Sequence, residues 1–252
     1  MARVFLLSPA FCGGRRAKLL QNPQSQAVTV LEFRSGAMTL GRAFAFMSGL
    51  YFRGKLAYAE RFGDALVITP TRGLQSPSLP FNARLLNEFA VGDVSLDNPE
   101  YRVALEKDVK ALSRRIGKAG QVVLLGSVAS GKYVDVLLPI LGSRLQYPSS
   151  FVGRGDMSRG GLLLRSAASG VELEYDALLA GVRPRGPRPP KLDPLTRVAV
   201  SWSHEGDDSR RRSDHGIVEP GLGAGAPGPQ GLQPVVDCRL RARPRLHRRP
   251  RS

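Results

Sequence analysis

A glycine-bracketed turn after an apolar run is the part of the sequence best suited to bind an anion. Gly126 and Gly131 enclose four residues, the last of them Ser130, and Lys132 follows at once. This is the spacing of a phosphate-binding P-loop, whose backbone N–H groups at a helix start face the anion. Tyr133 stands where an NTPase has the Ser or Thr that holds Mg²⁺. The spacing therefore favours a phosphate or nucleic-acid backbone contact, or a plain strand-to-helix connection, over an NTPase site.

Arginines follow other predicted strands and turns in a way that indicates a shared anion site. Arg15 and Arg16 come after the first apolar run, Arg72 comes after the second, and Arg154 lies in a glycine-rich stretch. Open α/β sheets bind ligands at the carboxyl ends of their strands. We therefore expect these four arginines to hold phosphate, the alternative being that they are exposed basic turns. The loops expected to converge are 12–18, 71–73, 126–132 and 153–159.

Asp135 and Asp156 are the candidate acid–base groups if the site performs chemistry. All three histidines lie beyond residue 182, which argues against Ser-His-Asp and Cys-His units and against histidine-ligated metals in residues 1–182. Cys12 has no identifiable base near it in sequence, and the two cysteines lack the spacing of a zinc site. The residues indicate no particular cofactor.

Composition divides the chain at about residue 182. Residues 183–252 hold 11 of the 19 prolines and almost no periodic apolar pattern, so only the first part can bury a core. We predict an α/β domain over residues 1–182 and a disordered, basic Pro/Gly/Arg-rich tail over residues 183–252. The loss of pattern after about Leu195 also resembles the translation of an out-of-frame, GC-rich sequence.

The net charge of +16 is shared by both parts: 22 basic against 14 acidic residues up to residue 182, and 15 against 7 after it. A basic surface indicates nucleic acid, phosphorylated ligands or acidic membranes, or it is a solvated face. No apolar run approaches the about 18 residues that a membrane helix needs. The short N-terminal apolar run does not have the charge order of a signal peptide. By elimination we predict a cytoplasmic protein with no membrane partner.

Buried strands are predicted where apolar residues occur without polar alternation. Such runs begin at Val4, Ala65 and Val122, and a short strand is predicted near Leu145. Helices are predicted over residues 41–62, 97–116 and 134–141, and a hairpin with strands 161–165 and 171–175. Together these elements predict a three-layer α/β domain with a mostly parallel sheet and a C-terminal hairpin.

Four short motifs occur together within residues 3–165. They are Cys12-Gly13-Gly14-Arg15-Arg16, Leu50-Tyr51-Phe52-Arg53-Gly54-Lys55 with Tyr58-Ala59-Glu60, Arg72-Gly73-Leu74, and Gly131-Lys132-Tyr133. Together they resemble an uncharacterised bacterial group of small Rossmann-like proteins. The resemblance implies a fold distantly similar to the uracil-DNA-glycosylase type, and some members are thought to accompany tRNA base-exchange enzymes. The extra glycine in the Cys-Gly turn departs from the group, and the lack of a glycosylase's catalytic Asp or His motif argues against base excision.

Three classes of function remain open at this point. In the first, the chain binds RNA or DNA or modifies a nucleobase. In the second, it is an enzyme acting on a nucleotide or a phosphorylated metabolite. In the third, it is a non-catalytic scaffold. Basic charge spread beyond one pocket favours the first class. A closed pocket containing Lys132 and an aspartate favours the second, and the absence of a cleft favours the third.

Overall fold

Among the described residues six strands form one sheet, and four of them lie where the sequence predicts strands. The computed structural model describes residues 3–182, 184–190 and 192. Its strands are β1 (Arg3–Leu7), β2 (Asp64–Ile68), β3 (Leu74–Gln75), β4 (Gln121–Leu125), β5 (Leu145–Pro148) and β6 (Tyr175–Ala177). β1 and β4 are buried along all but their first residue. Strands buried in this way have both faces of the sheet covered.

The sheet is mostly parallel, as predicted. Its strand order is β3-β2-β1-β4-β5-β6. β1 pairs in parallel with β2 and β4, and β4 pairs in parallel with β5. The short edge strands β3 and β6 are antiparallel to their neighbours. In this register Leu6 of β1 lies opposite both Leu66 and Leu124.

Helices cover both faces of the sheet. They are α1 (Arg15–Leu20), α2 (Val28–Arg34), α3 (Leu40–Ser48), α4 (Leu50–Phe62), α5 (Ala83–Val91), α6 (Pro99–Ile116), α7 (Gly131–Leu141) and α8 (Asp156–Ser169), with 3₁₀ turns at Gly142–Arg144 and Ser149–Phe151. Phe5 and Phe52 belong to an apolar core that includes residues of α1–α5 and α8. Leu6 and Leu105 belong to a second core, with α6 and α7. The predicted three-layer α/β fold is therefore confirmed.

Helix α6 begins where the sequence predicts it, because its first residues supply the groups that a helix start needs. The Asn98 side chain accepts a hydrogen bond from the backbone N–H of Glu100 (3.1 Å). Pro99 occupies the first turn, where its missing N–H costs nothing. The helix ends at Gly117, whose φ of 65° is left-handed.

Replacing Asn98 by alanine is expected to destabilise the protein by about 1 kcal/mol, since an N-cap oxygen is lost. Asn98→Asp keeps the accepting oxygen and loses only the amide donor to the Asp93 carbonyl, so its loss should be smaller. The free energy of unfolding of both variants is measured by urea titration with circular dichroism. Equal stability of Asn98→Ala and the unsubstituted protein would contradict this role for the cap.

The predicted hairpin over residues 161–175 is wrong, because its first strand lies inside helix α8. Gly160 lies at the contact between α8 and α4. A Cβ at Gly160 would lie 2.8 Å from the backbone of Leu50, and a Cβ at Gly54 would lie 2.6 Å from the Gly160 carbonyl oxygen. The glycines therefore permit close helix packing. Helix α8 also begins at Asp156, inside the predicted loop 153–159.

The helix predicted over residues 41–62 is divided in two. Gly49 separates α3 from α4 and has a φ of 67°, which is left-handed and breaks the helical backbone. The break turns the chain so that the aromatic residues Phe44 and Phe52 of the two helices meet edge to face, with ring centroids 5.3 Å apart. Both rings are fully buried in the core.

Described residues continue past the predicted domain end at residue 182. Arg154 Nη1 donates a hydrogen bond to the Pro190 carbonyl (3.4 Å). A Cβ at Gly161 would lie 3.5 Å from Leu192 Cδ1, in ordinary contact. This segment therefore runs along the start of α8. The predicted disorder and out-of-frame origin of the remaining tail, residues 193–252, fall outside the described residues. Among the helices that are described, none is both long and apolar enough to cross a membrane.

Candidate functional site

The centre of the sheet provides a crevice at the carboxyl ends of β1 and β4. The connection from β1 to β2 runs through α1–α4 on one face, whereas the connection from β4 to β5 runs through α7 on the other. Ligands of open α/β sheets bind where the strand order reverses in this way. Ser8 directly follows β1 and Gly126 directly follows β4, and a Cβ at Gly126 would lie 3.0 Å from the Ser8 Cβ.

Lys55 of α4 is buried next to Ser8. It is 1 % exposed, and its Nζ donates hydrogen bonds to the Ser8 carbonyl oxygen (2.6 Å) and to Ser8 Oγ (2.9 Å). The same nitrogen lies 4.4 Å from the ring centroid of Tyr51 and 4.9 Å from that of Phe52. Lys55 forms none of the ion pairs found among the described residues. The ammonium is thus surrounded by aromatic faces and a serine.

These surroundings lower the pKa of Lys55 from 10.5 to about 7. Burial is the main cause, because it penalises the charged form. The carboxylate of Asp156 opposes the shift, and the charge of Lys132 adds to it. At neutral pH a substantial fraction of Lys55 is therefore an uncharged amine with a lone pair.

Two buried tyrosines contact this pair, Tyr51 at Lys55 and Tyr133 at Ser8. Burial is the main reason that the pKa of Tyr51 is raised to about 12; Arg159 opposes the rise and Asp156 adds to it. Burial also raises the pKa of Tyr133, which its interaction with the Ser8 hydroxyl lowers. Both tyrosines therefore remain protonated hydroxyl donors at neutral pH.

A cavity of about 550 Å³ opens beside this cluster. Its lining comes from the turn after β1 and the start of α1, the end of α3, and the first residue of α8: Pro9, Ala10, Phe11, Gly14, Arg15, Arg16, Ala17, Met47, Ser48 and Asp156. Arg16 Nη1 donates to the Phe46 carbonyl (3.1 Å), which fixes that guanidinium against α3. Two of the loops predicted to converge, 12–18 and 153–159, do meet here. Arg15 and Arg16 consequently share a cavity with Asp156.

Arg72 and Arg154, by contrast, do not line the cavity. The guanidinium of Arg72 pairs with both carboxylate oxygens of Glu88 (2.7 and 2.6 Å). This pairing is the main reason that the pKa of Glu88 is lowered. Arg154 donates to the Ser150 carbonyl (3.0 Å) and Ser158 Oγ (3.2 Å), besides Pro190. In both cases the guanidinium is engaged by protein groups within the described chain.

The glycine-bracketed turn follows β4, as predicted, and none of its residues lines the cavity. Gly126 lies against Ser8, and the charge of Lys132 acts on Lys55. Lys132 Nζ lies 5.1 Å from the Tyr133 ring centroid. The Ser130 hydroxyl is buried and finds no hydrogen-bond partner among the described residues. Asp135 is exposed, and its carboxylate folds back to where a Cβ at Gly131 would stand. Of the two predicted acid–base aspartates, only Asp156 therefore lines the cavity.

Ser8 and Lys55 are the site residues that the sequence prediction missed. A signal for Lys55 was present: Tyr51, Phe52, Tyr58 and Ala59 share its face of α4 at helical spacing, and all are buried. A lysine on the apolar face of a helix is rare unless it has a polar partner in the interior. Ser8 carried the weaker signal of standing directly after the first buried strand.

Comparison with known proteins adds no relative on which to base a function. No protein-family model, no curated protein and no solved structure matches this chain. Within the described residues, no group of three or more His, Cys, Asp or Glu side chains is placed to hold a metal ion.

Proposed function

We propose that this protein binds a phosphorylated small molecule of the nucleotide class in the cavity beside Arg15 and Arg16. The observation that carries the proposal is that both arginines line one cavity at the carboxyl end of β1. Its volume of about 550 Å³ falls within the range of roughly 300–1,000 Å³ that small-molecule sites have. Guanidinium groups bind phosphate through paired, charge-assisted hydrogen bonds.

Phe11 supports a nucleotide over a simple phosphate. Its side chain is 77 % exposed although it lines the cavity, so one ring face is open to a ligand. Every nucleobase has a π-face, and stacking on an aromatic side chain contributes about 1–3 kcal/mol per base. A base on Phe11 and a phosphate on Arg15 would use the apolar and the charged part of the same cavity.

An RNA or DNA strand end presents the same base and phosphate, so nucleic-acid binding is the second candidate. It is favoured by the exposure of Phe11 and Arg15. The two candidates differ in how binding responds to added phosphates. A strand that contacts several phosphates binds more weakly as salt rises, with a slope set by their number, whereas a mononucleotide has a shallow slope.

Arg15→Met is expected to weaken binding of adenosine monophosphate by about 10- to 100-fold, because a hydrogen bond to a charged group contributes about 1.5–3 kcal/mol. Calorimetric titration of the full chain measures this, with adenosine and inorganic phosphate as comparison ligands. Arg102→Met on α6 is the control, since Arg102 pairs with Glu106 on the other face of the sheet. Because every variant keeps residues 183–252, any phosphate affinity of that basic segment cancels in the comparison.

Unchanged affinity in Arg15→Met, or equal binding of adenosine and its monophosphate, would contradict the proposal. Tighter binding of a short single-stranded RNA than of the mononucleotide, lost in Arg15→Met and steeply weakened by salt, would favour the nucleic-acid candidate instead. Phe11→Ala separates the two parts of the ligand. It should reduce the advantage of the nucleotide over inorganic phosphate and leave phosphate affinity unchanged.

A further inference from the structure

The hydrogen bonds that Lys55 donates to Ser8 do not offset the cost of burying its ammonium. Burying an ammonium is costly unless a carboxylate and hydrogen bonds compensate it. Here no carboxylate pairs with Lys55 among the described residues, and the neighbouring groups are two aromatic rings and one serine. A methionine of similar length would fill the same space without the penalty. A costly buried group in a crevice where ligands are expected is typical of functional residues.

We propose that Ser8 is a nucleophile and Lys55 its general base, and that the pair cleaves a phosphoester bond of the ligand. Lys55 Nζ lies 2.9 Å from Ser8 Oγ, within the distance that direct proton transfer needs. The bond from Nζ to the Ser8 carbonyl, 2.6 Å long, holds the amine in this position. The phosphoester assignment rests on the proposed binding of a phosphorylated ligand, whereas the nucleophile and its base do not.

The position of Ser8 relative to the cavity supports this role. Ser8 is followed directly by Pro9 and Ala10, which line the cavity with Arg15 and Arg16. Arginines stabilise the charge that builds up on the oxygens of a phosphoryl group during transfer. Lys55 is less suited than Ser8 to be the nucleophile itself, because it is 1 % exposed against 7 % for Ser8.

The reaction balances without any further reactant except water. Ser8 Oγ bonds to phosphorus, the bond from phosphorus to the leaving alcohol breaks, and the serine proton passes to Lys55 Nζ and then to the leaving oxygen. Water next bonds to phosphorus, the bond from phosphorus to Ser8 Oγ breaks, and the water proton returns through Lys55 to Ser8 Oγ. The net change is hydrolysis of one phosphoester, with no oxidation or reduction.

The rate should rise with pH as Lys55 loses its proton. The charged groups that influence Lys55 are Asp156 of α8 and Lys132 of α7, and the titratable hydroxyls beside it are those of Tyr51 and Tyr133. Both hydroxyls keep their protons at neutral pH because burial raises their pKa. Asp156 favours the charged amine and Lys132 opposes it, so the midpoint is expected near the pKa of Lys55, about 7.

The test is covalent labelling of the full chain with a fluorescent fluorophosphonate, a probe from which an activated serine displaces fluoride. Peptide mass mapping locates the label, and its rate is followed from about pH 6 to about pH 8. We expect labelling at Ser8 and at no site in Ser8→Ala, a rate at least about 100-fold lower in Lys55→Met, and no effect of Ser35→Ala, an exposed serine at the end of α2. Circular dichroism and thermal unfolding confirm that each variant is folded.

A second measurement assigns the bond that is cleaved. Release of nitrophenol from bis-para-nitrophenyl phosphate by the unsubstituted protein, but not by Ser8→Ala, is expected. Absence of label on the folded protein, or a label that persists in Ser8→Ala, would overturn the nucleophile. A label whose rate is the same in Lys55→Met and flat with pH would overturn the base. Turnover of para-nitrophenyl acetate without turnover of the phosphodiester would overturn the phosphoester assignment, and a labelled Ser8 without nucleotide binding would overturn the proposed ligand alone.

Discussion

Replacing Lys55 by methionine is expected to raise the free energy of unfolding at pH 6 and to lose that advantage at alkaline pH. Lys55 has a pKa of about 7 in the folded chain and 10.5 as its ordinary value, a difference that corresponds to roughly 4–5 kcal/mol at acid pH. Methionine removes this cost but leaves the Ser8 carbonyl without its donor, which costs about 1–3 kcal/mol. The net gain at pH 6 is therefore about 1–4 kcal/mol.

The pH dependence follows from proton uptake. Below its folded pKa of about 7, Lys55 is protonated in both states and the full penalty applies. Between about 7 and 10.5 the unfolded chain binds more protons than the folded chain, so stability rises with pH. The difference in free energy of unfolding between Lys55→Met and the unsubstituted protein should narrow by roughly 2–3 kcal/mol from pH 6 to pH 9. Burial raises the pKa of Cys12 to about 12, so this thiol lowers the stability as pH rises above 9. Both proteins contain Cys12, so it does not affect the difference between them.

Urea unfolding of the two proteins at several pH values measures this gap. A constant difference would mean that Lys55 stays charged in the folded state, which would also remove it as a general base. Lower stability of Lys55→Met at every pH would show that the bonds to Ser8 outweigh the cost of burial. The expected outcome, a more stable but unreactive variant, is the trade-off seen when a functional group occupies a place that packing would fill differently.

Gly160→Ala is expected to destabilise the protein by roughly 2–4 kcal/mol, because its methyl group would meet backbone atoms that cannot move aside cheaply. The Cβ would lie 2.8 Å from the Leu50 carbonyl group and from Tyr51 Cα. Separating α8 from α4 would also move Asp156 away from Lys55. The pH midpoint of any Lys55-dependent rate should therefore shift to lower pH, since Asp156 raises the pKa of Lys55.

Gly161→Ala is the matched control, one residue further along the same helix. Its Cβ would meet only Leu192 Cδ1 at 3.5 Å, an ordinary contact. Alanine should therefore be neutral or stabilise α8 by up to about 1 kcal/mol through its higher helix propensity. Thermal unfolding of the two variants distinguishes them. A similar loss of stability in both variants would contradict the close contact of Gly160 with Leu50 and Tyr51.

The sequence predicted the elements whose signals are local. Buried strands follow from unbroken apolar runs, and α6 follows from its cap and its terminal Gly117. Helix α8 was missed because the role of Gly160 depends on Gly54, more than a hundred residues away in the chain. The short helices α1, α2 and α5 were also missed, since helices of this length are held by tertiary packing and carry little signal of their own.

The candidate site, like the fold, was predicted from the sequence only where its signals are local. The rule that ligand loops lie at strand carboxyl ends led to Arg15, Arg16 and Asp156, which do share a cavity. It could not show that Glu88 engages Arg72, because an ion-pair partner is set by the fold. Nor could it show that Lys55 points inward to Ser8. The predicted family resemblance and the assignment to a nucleic-acid or small-molecule partner remain predictions.

The edges of the sheet have a consequence for how this protein can meet a partner. The outermost strands, β3 and β6, are two and three residues long and run antiparallel to the strands they cover. β3 pairs with Val67 and Ile68 of β2, and β6 pairs with Gln146, Tyr147 and Pro148 of β5. Edges this short give an added strand little to pair with, which disfavours edge-to-edge aggregation and peptide capture by strand addition. The proposed ligand site accordingly relies on side chains at the carboxyl ends of β1 and β4.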